Sequence, residues 1–177
     1  RLAVHEARSG GNRRERFERR KSALKNEQSS FLTNWKDLSQ FVKPRRGRFF
    51  IEDVNKGGDR YQAIINSKAT DAHRVARSGL FAGSMSPATQ WFQYEMFDPD
   101  LNKYGPAKQW LYRVGLVIQE IFADSNFYPM SLQTLGEMIL FATGAQIQVD
   151  DYDHVARFYA LTAGSYLIAQ DEKQNIN

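Results

Sequence analysis

No cysteine occurs anywhere in these 177 residues. That excludes disulfides, thiolate zinc sites and cysteine nucleophiles, and it fits a reducing compartment. No run approaches 18 uninterrupted apolar residues, and the basic N-terminus lacks the apolar core and small-residue cleavage site of a secretory signal, so a soluble chain without membrane contact is expected. Histidine is scarce, with His5, His73 and His154 the only three. The HExxH, GxSxG and glycine-rich phosphate-loop patterns are missing, so neither an enzyme nor a cofactor is expected. There is no internal repeat and no low-complexity tract.

What is present is an uneven charge. Residues 1–48 hold 14 Lys/Arg against 5 Asp/Glu, whereas the rest of the chain carries 10 against 15. A basic arm of this kind suits a polyanion or an acidic neighbouring subunit, and it equally describes a solvated helix face. Its densest part is KPRRGR, which makes Lys43, Arg45, Arg46 and Arg48 the candidate contacts to DNA or to another subunit. Phe49 and Phe50 follow, but no RRM, helix-turn-helix or OB signature surrounds them, so only a sequence-independent DNA-binding module stands as the alternative function. Asp150, Asp151, Asp153 and His154 hold the side chains of an oxygen-rich metal site without EF-hand spacing, and an acidic hairpin turn is the preferred reading. Glu95, Asp98 and Asp100 offer paired carboxylates, but Asp98-Pro99 reads as a turn.

The periodicity predicts an α+β fold. Residues 1–12, with Gly10-Gly11, form a mobile lead-in. Leu24, Phe31, Trp35, Leu38, Phe41 and Val42 recur at helical spacing, which predicts one long helix, or two joined near Ser29-Ser30, from about Arg13 to Val42, ended by Pro44. FFIEDV reads as a short strand and Gly57-Gly58 as a turn. Ser67 is the expected N-cap of a helix over Lys68 to Ser84, in which Gly79 and Gly83, four apart on one face, imply close packing or an interface.

Beyond Pro87 the aromatic alternation of ATQWFQYEMF predicts a strand, with Trp91 and Phe92 as packing or interface candidates. A loop over DPDLNKYGP leads to a helix begun by Pro106 that carries Trp110, another interface candidate. SNFYP is a connector, and a helix from about Leu132 should end near Gly144. AQIQV, VARFYAL and SYLIAQ then predict a three-stranded meander, for about five helices and short antiparallel strands in all. The 23 aromatic residues suit a core or a subunit interface, and composition does not choose between them.

These segments, in order, resemble the head-to-tail connector, or portal, protein family of short-tailed bacteriophages. The resemblance is carried by SGLFAGSMSPATQWFQYEMFDPDL, by YGPAKQWLYRVGLVIQEIFADSNFY, and by LGEMILFATGAQIQVDDYDHVARFYALTAGSYLIAQDE. Trp35 to Pro44, a W-x-x-L-x-x-F-x-x-P pattern, is similar to the family's opening helix. The resemblance implies a structural subunit of a ring, usually of twelve copies, at one capsid vertex of the virion, assembled in the host cytoplasm. Double-stranded DNA would pass through it during packaging and ejection, and terminase, tail or adaptor proteins, capsid protein and scaffold would dock on it. On the same footing, residues 13–177 are the N-terminal part of the wing domain, and the stem, clip and crown are absent from this chain.

Overall fold

A computed structural model describes residues 13–43, 64–170 and 176. Helix α1 spans Arg13–Val42 and is unbroken. The two serines at its centre do not divide it, because Ser29 and Ser30 donate their hydroxyls back to the carbonyls of Asn26 and Glu27. Helix α2 spans Lys68–Ser84, as the sequence predicts, but Ser67 makes no side-chain cap. Asn66 does that work instead, its Oδ1 accepting from the Lys68 amide at 3.2 Å. Pro87 stands second in the turn Ser86 to Thr89, closed by the Thr89 amide on the Ser86 carbonyl, where its fixed φ is favourable.

The loop expected over residues 98–106 contains a single helical turn, α3, Pro99–Lys103. Asp98 is its N-cap and Pro99 its first residue, so a dipeptide that reads as a turn is a helix start. Helix α4 covers Gly105–Asp124 and α5 covers Phe127–Phe141, which absorbs most of the predicted connector. Pro129 falls in the first turn of α5, where its missing N–H has no intrahelical partner to lose. Ala142, with φ 56°, takes the left-handed position after α5 that was expected of Gly144.

Gly144 has a different task. A Cβ there would lie 2.6 Å from Met138 Cγ and 3.0 Å from the Thr134 carbonyl oxygen, so the chain reverses against the end of α5 only because no side chain intervenes.

Strands β1, Ala145–Asp151, and β2, Val155–Leu161, form an antiparallel hairpin with Ala145 opposite Leu161 and Asp151 opposite Val155. The expected third strand does not form: SYLIAQ is irregular apart from one bridge between Gln170 and Ile176. No strand forms over residues 91–97 either. Trp91 and Phe92, adjacent in sequence, both pack on Phe122, which the opposite-facing side chains of a regular strand do not do. The FFIEDV strand and the Gly57-Gly58 turn lie outside the described residues.

Helix α5 is the centre of the fold, touching α1, α2, α4 and both strands. Leu135 and Phe141 on α5 itself, with Ala156, Phe158, Ala163 and Ala169, are the buried apolar residues among those described. The result is an α+β fold whose five helices, among the described residues, carry a single hairpin.

Candidate interface surfaces

Of the basic candidates only Lys43 lies among the described residues, and it points inward. Its Nζ sits 3.6 Å from Oε1 of Glu137, whose side chain is completely buried. Glu137 stands in the apolar helix sequence LGEMILF, and its Oε2 accepts from the Ala163 amide at 3.3 Å. His73 in α2 is bonded through Nε2 to the Gly136 carbonyl at 2.8 Å. Ser39 and Thr70 donate to the carbonyls of Lys43 and Val42, two acceptors that the end of α1 leaves without helical partners. The end of α1 is thus tied to α2 and α5 through polar groups.

Neither Glu137 nor His73 stands out for this role in the sequence. The available signal was a lone carboxylate flanked by large apolar residues, a position that demands a partner. Arg45, Arg46 and Arg48 lie outside the described residues.

Gly79 and Gly83 do not pack against anything described. A Cβ at either would meet no atom within 4 Å, so no close seam is formed there with the described part of the chain. Trp110 is 59% exposed. Trp91 and Phe92 instead belong to an aromatic stack: the Trp91 ring lies 6.3 Å from Phe122 and 6.1 Å from Phe127, and Phe127 meets Phe158 edge-on at 5.1 Å. Through these rings the irregular segment after Pro87 is fastened to α4, α5 and β2. At its far end Asn102 holds Met96 by both backbone groups, accepting from the amide at 2.7 Å and donating to the carbonyl at 2.8 Å. Asn126 grips Phe158 of β2 in the same way, at 2.7 and 2.8 Å.

The acidic turn is organised by ion pairs rather than around a common centre. Arg157 Nε donates to Asp151 at 2.8 Å, and His154 Nδ1 lies 3.0 Å from Asp124 at the end of α4. The Asp153 amide and the Arg157 guanidinium hold the Asp151 carboxyl below its ordinary pKa. Asp124 raises that of His154 by hydrogen bond and charge. Among the described residues no three His, Asp or Glu side chains gather as a metal site would require, which removes support from the metal reading of this turn. Nor is any described helix long and apolar enough to cross a membrane.

The family described as "Bacteriophage head to tail connecting protein" matches residues 14–177. The "Probable portal protein" of Bordetella phage BPP-1 is 37% identical over 154 residues, which is 87% of this chain and 28% of that protein. The "Portal protein" of Salmonella phage epsilon15 is 36% identical over 167 residues, 93% of this chain and 30% of that protein. The chain therefore spans less than a third of the length of either relative.

Proposed function

The chain belongs to the bacteriophage head to tail connecting protein family, and from that premise we propose that it is the N-terminal wing portion of a portal subunit. The subunit assembles with copies of itself, twelve in number, into a ring at one vertex of the capsid. DNA passes through the ring during packaging and ejection, while terminase, tail or adaptor proteins, capsid protein and scaffold dock on its outside. The role is that of a conduit and platform, without catalysis by this segment.

The observation that carries this reading is the family match along nearly the whole chain. The exposed aromatic and aliphatic residues agree with it, since Trp110, Tyr112 and Val117 on α4 are all more than half exposed and such groups are commonly covered at subunit interfaces. Electron microscopy of the full-length protein tests it. Rings with a central hole are the expected result, and a stable monomer overturns the reading. Among the described residues a sequence-independent DNA-binding module is favoured by the N-terminal half of α1, where Arg13, Arg14, Arg16, Arg19, Arg20 and Lys21 are exposed. That reading requires affinity for duplex DNA to fall steeply with salt, as phosphate contacts release counterions.

A further inference from the structure

The backbone from Gln90 to Glu95 is held in place without pairing to any described residue, and none of these residues has a positive φ. The segment is nevertheless fixed at both ends, by the Trp91 and Phe92 rings on Phe122 and by Asn102 on Met96. The side-chain amide of Asn102 takes both backbone groups of Met96, as a neighbouring strand would. A groove of about 800 Å³ opens between the segment and the start of α4, with Lys103, Lys108, Leu111 and Tyr112 among its walls. A row of free backbone groups on a rigid support is the receiving half of strand addition.

The same chain carries a matching donor. In the hairpin, Asn126 occupies the outward backbone groups of Phe158, so Phe158 and Gln148 form a non-hydrogen-bonded pair. It follows that Gln146, Gln148 and Asp150 turn their backbone groups away from β2, and among the described residues β1 is the open edge. A two-stranded sheet with an open edge is marginal by itself. Beside that edge Asp150 and Asp153 are exposed and acidic, while Lys103 and Lys108 flank the groove together with Glu95, and Lys103 is held 3.1 Å from Asp100 in an exposed pair that an incoming carboxylate must share or displace.

Asn126, beside the stack of Trp91, Phe122 and Phe127, covers the outer edge of β2, so β1 turns its open edge away from that stack and one copy does not close the contact on itself. We propose that β1 of one subunit adds as a strand to residues 92–95 of the next, its aspartates against Lys103 and Lys108. This is a heterologous contact that repeats until a ring closes. The inference rests on the ring reading above and specifies which two surfaces build it.

The test uses the full-length protein and follows ring formation by mass measurement and electron microscopy over a dilution series. Lys103→Glu with Lys108→Glu should raise the concentration needed for rings at least about tenfold, the equivalent of roughly 1.4 kcal/mol. Asp150→Lys with Asp153→Lys should do the same, and all four changes together should restore assembly. Gln148→Pro removes an amide that β2 does not use, and an edge strand tolerates this. It should abolish rings while the unfolding midpoint of the unassembled subunit stays that of Gln148→Ala. Rings from all variants at the wild-type concentration, or failure of the fourfold exchange to restore them, overturn the strand addition while leaving the ring reading intact. A wild-type protein that stays monomeric overturns both.

Discussion

Three glycines show how little a residue's identity says without its surroundings. Gly79 and Gly83 look like a packing seam in sequence, yet a Cβ at either meets open space, whereas at Gly144 it would lie 3.0 Å from the Thr134 carbonyl. Alanine at the first two positions should therefore stabilise the unassembled chain by about 0.5 to 1 kcal/mol each, through helix propensity and lost freedom in the unfolded state. Gly144→Ala should destabilise it by about 1 to 3 kcal/mol, because a backbone oxygen cannot move aside as a side chain can. Denaturant midpoints of the three variants check both signs. If the glycine face of α2 meets a neighbouring subunit, Gly83→Leu will weaken ring formation while the monomer keeps its midpoint.

The pair of Lys43 and Glu137 is a second case at this scale. Substituting Lys43 by Met removes one ion-pair partner of the buried carboxylate, a loss of about 3 kcal/mol by analogy with other broken buried pairs. A wild-type midpoint for Lys43→Met would show that the pair is dispensable.

At the scale of elements, the hairpin is held by charges that titrate in opposite directions. His154 has a raised pKa, so its bond to Asp124 contributes fully below the ordinary histidine value of 6.5 and is lost as pH rises through the raised one. Asp151 has a lowered pKa, so its contribution is present above the ordinary value of 3.8 and is lost as pH falls through the lowered one. Amide exchange in the β1–β2 turn should thus be slowest between about pH 4 and 6.5 after correction for intrinsic rates, and faster above that window. His154→Gln should abolish the rise above pH 6.5, and an unchanged profile would remove the tie to Asp124.

The elements also show what the sequence makes legible. Helices α1, α2 and α4 and the first two strands follow from periodicity and from proline, because those signals are local. The strand expected after Pro87 and the third strand of the meander did not form, because a strand needs a partner and periodicity says nothing of where one lies. Asn102 and Asn126 supply backbone pairing from side chains 6 and 32 positions away from the residues they hold, and no spacing rule marks them. Lys43 reads in sequence as a contact to DNA or another subunit because its cluster is basic, and its buried partner lies 94 positions away.

For the whole molecule the balance of surfaces is the informative quantity. Among the described residues six apolar ones are buried, three of them alanine, while Ile65, Phe97 and Tyr152 are almost fully exposed and Val75, Trp110 and Tyr112 more than half so. That distribution suits a piece of an assembly, in which neighbours supply the missing cover. It also explains why aromatic content alone left core and interface undecided: the Trp91 stack is internal, and Trp110 on the next helix is not. Residues 1–177 produced alone should therefore bind a hydrophobic dye such as ANS and self-associate at micromolar concentration. In the full-length ring the dye signal per subunit should fall severalfold as those surfaces become covered. Sedimentation of the segment as a concentration-independent monomer without dye binding would mean that these side chains are solvated in the native state, and the surface argument for assembly would fail even with the family membership unchanged.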